Sequence, residues 1–342
     1  MSDGAPSWHA PARRDLGPAA WRLVALLCAA GTIALLPLVV TDAYWRTNLI
    51  VCALNVMLAI GLDFVLGYAG QLNLGQSAFH GIGAYVSTLL IVKLGIPFWL
   101  AFAGGIVFSG LSGVVLSLFA VRLRGHYLAI ASLGFAVITY QILLNWISLT
   151  QGPLGIYGIA PPPALALPGL PLIDFHDLGN LLYLVAGFAL ASYVLLDQLI
   201  RSPIGETLTA IREDEVSAAS LGINCAAWKV FAFGISSAVA GAAGCFYASF
   251  VGTLVPDAFF ITESFTILAM VVVGGMGTLI GPVCGAILLT VLPEFLRSIG
   301  DLRLVVYGVA VTLVVLFMPG GIAQAARLAL VRLQRTAFGM VR

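Results

Sequence analysis

The sequence predicts an all-α polytopic membrane protein with about ten transmembrane helices. Of its 342 residues, 61% are hydrophobic and only 9% are charged, whereas soluble domains carry about 25% charged residues. The chain also contains many apolar runs of roughly the 20 residues that a helix needs to cross a bilayer. These runs lack the strict alternation of an outer-membrane barrel. Because a soluble fold of this size could not bury so much apolar surface, lipid is the expected solvent.

The apolar runs define the expected order of spans. The first run is longer than the apolar part of a signal peptide and no A-x-A site follows it, so it is expected to remain as a span. The predicted spans lie at about 21–40, 47–66, 75–92, 98–120, 127–147, 179–199, 228–251, 263–279, 282–296 and 303–319. The corresponding domains are an N-terminal segment (1–20), a transmembrane domain (21–322) and a basic tail (323–342).

The distribution of basic residues predicts that both termini are cytoplasmic, because cytoplasmic loops are enriched in Lys and Arg. With this orientation, Arg46, Lys93, Arg297 and Arg303 lie outside. The other 12 of the 16 basic residues lie inside: Arg13, Arg14, Arg22, Arg122, Arg124, Arg201, Arg212, Lys229, Arg327, Arg332, Arg335 and Arg342.

The net charge of +1 gives no basis for binding nucleic acid.

Two loops are longer than a tight turn. The loop 149–178 is expected on the periplasmic side, and its six prolines exclude a regular helix. The loop 201–227 is expected in the cytoplasm and is the most charged stretch of the chain. It predicts a short helix that Asp214 or Glu213 caps and Gly222 closes. An ordinary solvated loop would explain the charges equally well.

Two glycine-rich stretches lie within apolar sequence: GYAGQLNLGQSAFHGIGAY (67–85) and VVVGGMGTLIGPVCGA (271–286). Glycine allows helices to pack closely, and it also accompanies broken helices that line a polar pathway. Polar side chains in the first stretch favour the pathway, since polar groups that face lipid are costly. The predicted pathway residues are Gln71, Asn73, Gly75, Gln76, Ser77, His80, Gly81, Gly274, Gly275 and Gly277.

The order of the spans predicts an inverted repeat. Spans 2–5 start from outside and spans 7–10 start from inside, as in many transporters. Span 7 carries small residues spaced by three and four positions, a pattern that favours helix packing over contact with a transported solute. This stripe consists of Gly234, Ala238, Gly241, Cys245 and Ala248.

Motifs for catalysis and for ATP binding are missing from the sequence. Neither of its two lysines, Lys93 and Lys229, belongs to a G-x-x-x-x-G-K-[ST] phosphate loop. The five cysteines and four histidines show no metal-site spacing. We therefore expect no catalytic, metal or cofactor site in this chain. An ion-coupled secondary transporter is the more distant alternative, and its candidate charges near or within spans are Asp63, Asp197, Glu263 and Glu294.

Five stretches occur in one order: GYAGQLNLGQSAFHGIGAY, TQGPLGIYGI, IREDEVSAASLGIN, VVVGGMGTLIGPVCGA and MPGGI. Together they resemble the branched-chain amino acid ABC permeases, specifically the LivM-like members, from about residue 45 to 322. EVSAASLG (215–222) resembles a degenerate form of the E-A-A-x-x-x-G motif that contacts the ATPase in ABC importers. MPGGI replaces the commoner R-P-x-G, and the E-A-A spacing is looser than usual.

The resemblance implies an ABC importer permease fold in the bacterial inner membrane, forming half of a translocation pathway. It implies a LivH-like second permease, a periplasmic substrate-binding protein, and two cytoplasmic ATP-binding subunits that hold ATP and Mg. The expected substrates are leucine, isoleucine and valine, although the same pattern serves urea, short amides and aromatic acids. The implied ATPase-coupling residues are Glu206, Arg212, Glu213, Asp214, Glu215, Ala218, Ala219 and Gly222.

Overall fold

The protein is almost entirely helical. The computed structural model describes residues 31–33, 35, 37, 40–120, 126–164, 173–299, 302–317 and 320–322. Apart from the single α-helical turn Ile147–Thr150 and short 3₁₀ turns, its helices are α1 (Ala43–Asp63), α2 (Gln76–Leu94), α3 (Phe98–Ala120), α4 (His126–Asn145), α5 (Leu178–Arg201), α6 (Pro203–Glu213), α7 (Glu215–Ser220), α8 (Cys225–Val251), α9 (Ile261–Gly274), α10 (Ile280–Phe295) and α11 (Leu302–Phe317).

The predicted fold class is confirmed. Within the described ranges, seven helical stretches are long and apolar enough to cross a membrane; α9 counts among them together with the 3₁₀ turn before it (Pro256–Gly274), and α10 is a shorter apolar helix. The count of ten spans is not confirmed. The segments 1–20 and 323–342, and most of the first predicted span, lie outside the described residues.

The chain breaks between α1 and α2. Helix α1 continues beyond Asp63 as a single π-helical turn, Phe64–Tyr68. Residues 69–75 are not helical, and Gly70 among them adopts a left-handed φ of +67°. The Gln76 side chain donates to the Leu58 carbonyl (3.3 Å). The chain has therefore turned back along α1, and α2 begins at the level of Leu58 and not at the end of α1. Residues 69–75 therefore form a re-entrant segment.

A second break precedes α9. Helix α8 ends at Val251 with Gly252 as its C-cap, and a short strand (β2, Thr253–Leu254) and a 3₁₀ turn (Pro256–Phe259) follow. The first turns of α2 and α9 then meet, because the backbone N–H of Ser77 donates to Ser264 Oγ (3.0 Å) and the two hydroxyls lie 2.8 Å apart. The two breaks approach this contact from opposite ends of the bundle. The inverted repeat nevertheless stays a prediction.

Helix α8 lies at the centre of the bundle and packs mainly against α2 and α3. A Cβ added to Gly83 would collide with the Gly241 backbone, and one added to Gly244 would collide with the His80 carbonyl. The Cys245 thiol lies 3.3 Å from the Gly83 carbonyl oxygen. Gly241 and Cys245 belong to the predicted span-7 stripe, and its packing role is confirmed because these small residues permit the close approach of α2.

Polar contacts mark the two ends of the bundle. At one end Arg46 pairs with Asp177 (3.5 Å), and Lys93 donates to the Ser148 carbonyl (2.8 Å). Strand β1 (Ile156–Tyr157) pairs there with β2. We call this the outer end, because the charge distribution assigns Arg46 and Lys93 to the outside. Helices α6 and α7 lie at the opposite, inner end.

Candidate functional site

Helices α6 and α7 form a compact hairpin at the inner end. Ser202 caps α6, with Pro203 in its first turn. The carboxylate of Asp214 caps α7 by accepting bonds from the N–H groups of Val216 (2.9 Å) and Ser217 (3.3 Å). The predicted Asp214 cap is therefore confirmed. The Ser217 hydroxyl and these two N–H groups lower the pKa of Asp214, so the cap is ionised at neutral pH.

Gly222 closes α7 as the sequence predicts. Its φ is +85°, and the bonds from Gly222 N–H to the Ala219 carbonyl (3.0 Å) and from Ile223 N–H to the Ala218 carbonyl (3.2 Å) form a Schellman motif. Ala218 is buried against Ile211 and Cys225. Ala218 and Gly222 therefore shape α7, while Ala219 is on its exposed face.

The acidic residues of the hairpin have different surroundings. Glu215 pairs with Lys229 at the start of α8 (2.7 Å). Glu206 and Glu213 are exposed. The exposed carboxylates are accessible to a partner, whereas Asp214 and Glu215 stabilise the hairpin itself.

Arg212 connects the hairpin to the spanning helices. Its guanidinium donates to the Gly67 carbonyl in the π-helical turn. A Cβ on Gly70 would lie 2.9 Å from the Arg212 side chain. Asp63 is fully buried beside this contact and accepts a bond from the Gly277 N–H (2.8 Å). We call Asp63, Gly67, Arg212 and Gly277 the inner junction.

Three predicted pathway glycines lie at or beside the inner junction. Gly277 has a φ of +76° and belongs to it, and Gly275 has a φ of +114°. A Cβ on Gly274 would collide with the Gly281 carbonyl, so Gly274 permits close packing of α9 and α10. These glycines shape the connection between α9 and α10, from which the Gly277 N–H donates to Asp63.

Two of the predicted polar residues, Asn73 and Gln76, bond to each other where the re-entrant segment meets α2. The Asn73 amide donates to the Gln76 amide oxygen (3.1 Å), and its own oxygen accepts from Gly75 N–H (2.8 Å). Gln71 is also buried. A Cβ on Gly75 would lie 3.0 Å from the Ser132 carbonyl oxygen, which limits the space there. This network holds the broken helix in place.

A cavity of about 340 Å³ lies between α1, α2, α8, the second break and the start of α9. Of the predicted pathway residues, His80 alone lines it; Gly81 lies nearby, where an added Cβ would be 3.0 Å from Phe259. The polar lining residues are Asn55, His80, Tyr247, Asp257, Thr262 and Glu263.

Comparisons with known proteins decide the family. The family model described as the branched-chain amino acid transport system permease component matches residues 46–318. The chain belongs to this permease family. No solved structure shows significant similarity to the chain.

The permease resembles curated proteins of two related types. It is 35% identical over 290 residues to the high-affinity branched-chain amino acid transport system permease protein LivM of Escherichia coli K12, covering 80% of this chain and 68% of that protein. It is 28% identical over 291 residues to LivH of the same organism, covering 78% and 90% of the two chains. A probable LivM of Methanocaldococcus jannaschii is 24% identical over 290 residues.

Most residues that line the cavity of this permease have no signature in the sequence. Asn55, Tyr247 and Thr262 gave no recognisable signal, and Asp257 was not singled out. Glu263 was noted only as a carboxylate within a span. A carboxylate in an apolar segment is itself a functional signal, and it could have directed attention to α9.

Proposed function

We propose that this chain is one permease subunit of an ATP-driven, binding-protein-dependent importer of branched-chain amino acids. Family membership and the similarity to both LivM and LivH support this function. The partners would be a LivH-like permease, two cytoplasmic ATP-binding subunits and a periplasmic binding protein. The permease would lie in the bacterial inner membrane with both termini in the cytoplasm.

The hairpin of α6 and α7 is the observation that carries the proposal. Its inner face packs through Ala218 and Ile211, and Arg212 extends from it to the spanning helices. Val216 is 66% exposed and Leu221 is 83% exposed. We call Val216, Ala219 and Leu221 the docking face, because it offers apolar side chains to a partner at the end predicted to be cytoplasmic.

In such an importer, ATP binding and solute translocation would belong to different subunits. ATP and Mg would bind to the partner ATPases, because this sequence has no phosphate-binding loop. Movement of those ATPases would push on the docking face and reach the inner junction through Arg212. The loop 149–178 would contribute to the surface that receives the binding protein.

The docking face provides a direct prediction. Leu221→Glu is expected to lower co-purification of the ATPase subunits at least tenfold, because it places a charge where an apolar contact forms. Pull-down of the complex through a tag on this chain, with quantification of the ATPases, measures the effect. Leu154→Glu makes the same change at a 74% exposed site on the outer end and should retain the ATPases. Equal recovery from both variants would contradict the docking role.

Uptake of radiolabelled leucine tests the proposed function. Cells lacking this chain should lose high-affinity uptake, and a plasmid that encodes it should restore the uptake. The strain must also lack its other leucine uptake systems, so that no redundant route masks the loss. Unchanged uptake in such a strain would refute the leucine assignment and direct the same assay to urea, short amides and aromatic acids.

A further inference from the structure

The cavity near the outer end has the size and lining of a small-molecule site. Its volume of about 340 Å³ lies within the range of about 300–1,000 Å³ for ligand pockets. Val51 and Leu54 of α1 and Ala258 of the second break supply an apolar wall. Polar groups from α2, α8 and α9 face the same space. The cavity therefore combines an apolar surface with a few convergent polar groups.

The cavity carries acidic groups, and no Lys or Arg of the described chain lines it. Asp257 accepts a hydrogen bond from the Tyr140 hydroxyl (2.8 Å). In the part of the chain that the structure describes, Glu263 has neither a hydrogen bond nor an ion pair through its carboxylate. A carboxylate in an apolar segment is costly unless a positive group pairs with it. A ligand with a cationic group would supply the missing partner.

His80 is the second, independent observation. It is only 3% exposed, and neither ring nitrogen has a hydrogen-bond partner among the described residues. Tyr247 and Phe259 pack edge-on against its ring, with centroids 5.3 and 5.0 Å away. Since His80 lines the cavity, an imidazole N–H can donate to a ligand there. A buried donor without a partner fits a ligand acceptor such as a carboxylate oxygen.

The start of α9 adds a second group suited to an anion. Helix α9 has no side-chain cap at Phe260, and Thr262 in its first turn lines the cavity. Unpaired N–H groups and the helix dipole make such an end favourable for a carboxylate. The cavity thus has features for an ammonium group, a carboxylate group and an aliphatic side chain.

We infer that this cavity is a substrate site of the permease itself, where Glu263 and Asp257 bind the ammonium group of an aliphatic amino acid and His80 binds its carboxylate. The inference rests on the proposed function and deepens it. It disfavours urea and short amides, which bring no charge for Glu263. It also disfavours aromatic acids that lack an amine, because two carboxylates would repel them.

The test measures ligand binding to the purified permease–ATPase complex without the periplasmic binding protein, so that the site of that protein does not contribute. Radiolabelled leucine is the probe, with 3-methylbutylamine and 4-methylpentanoate as competitors that keep only one charged group each. Leucine should compete best, the amine should compete measurably, and the acid should not compete. Glu263→Gln should weaken leucine binding at least tenfold.

Two further variants separate recognition from folding. Glu294→Gln removes a carboxylate near the outer end that contacts Tyr44 and does not line the cavity, so leucine binding should not change. Glu263→Asp keeps the charge and should retain more binding than Glu263→Gln. Retained ATPase subunits in each purified variant show that the complex has assembled.

The outcomes distinguish this inference from the proposed function. If the wild-type complex imports leucine in cells but Glu263→Gln and Glu263→Asp both bind it as the wild type does, the inference is overturned and the proposed function stands. Stronger competition by the acid than by the amine would also overturn the inference. If the wild-type complex imports no leucine, the proposed function fails and the assignment of this cavity fails with it.

Discussion

Replacing Gly83 with valine is expected to prevent the bundle from assembling. A Cβ at Gly83 would collide with the backbone of Gly241, so α2 and α8 would have to separate. Overpacking a core costs roughly 1–3 kcal/mol, and a backbone cannot rotate away as a side chain can. We therefore expect the free energy of unfolding to fall by about 3 kcal/mol or more. Thermal unfolding and gel filtration of the detergent-solubilised permease would show a lower midpoint and aggregation.

Gly187→Val is the matched control for this change. Gly187 is exposed on α5, and a Cβ there would meet nothing within 4 Å. This variant should elute and unfold like the wild type, because a valine side chain that faces lipid is energetically favourable. If Gly83→Val and Gly187→Val behave alike, the close contact between α2 and α8 would not be a determinant of the fold.

Most of the spanning helices that the structure describes could be predicted from sequence to within a few residues. The span predicted at 75–92 is observed as Gln76–Leu94, and the one at 179–199 as Leu178–Arg201. Such accuracy follows from the bilayer, which requires every backbone group of a span to bond within its own segment. The apolar run therefore determines the helix without reference to distant residues.

The ends of α7 could be predicted for a similar reason. Asp214 bonds to N–H groups two and three residues ahead, and Gly222 adopts its left-handed φ within the same turn. Caps of this kind are local, so residue type and spacing suffice. The docking of Ala218 into the hairpin was not predicted, because the cluster with Ile211 and Cys225 depends on the angle between three helices.

Long-range contacts explain what the sequence did not reveal. Arg212 and Gly67 are separated by 145 residues, and Asp63 and Gly277 by 214. Neither pair has a local signature, so the sequence did not reveal that Gly275 and Gly277, which are predicted pathway residues, lie at or beside the inner junction. The cavity depends likewise on how two helix breaks are placed in space. Only residues whose chemistry is costly in a membrane, such as His80 and Glu263, gave an early signal.

Removing the guanidinium of Arg212 is expected to separate ATP hydrolysis from transport. The Arg212 guanidinium donates from the α6–α7 hairpin to the Gly67 carbonyl in the π-helical turn that follows α1. Coupling between sites is typically about 5- to 150-fold in affinity, so Arg212→Met should lower leucine transport by a factor in that range. The docking face is unchanged, so the ATPases should remain bound. The ratio of ATP hydrolysed to leucine imported in proteoliposomes measures the effect.

Arg201→Met is the control for this substitution. It removes a guanidinium at the same end of the bundle, where Arg201 pairs with Asp197 within α5. Exposed pairs of this kind contribute about 0–1 kcal/mol. Transport and hydrolysis should therefore change little. A similar loss of coupling in both variants would point to the net charge of the inner surface as the cause.

Asp63→Asn distinguishes a charge effect from a mechanical one. Arg212 supplies positive charge near Asp63, so Arg212→Met leaves a buried carboxylate without a compensating cation. Asparagine removes that charge and keeps an acceptor for the Gly277 N–H. The double variant Asp63→Asn/Arg212→Met should therefore be more stable than Arg212→Met alone. The expected gain in free energy of unfolding is about 0.5–3 kcal/mol, as for residues of one network. Transport should remain low, because the bond to the Gly67 carbonyl is still missing. Full recovery of transport in the double variant would mean that Arg212 acts only by balancing the charge of Asp63.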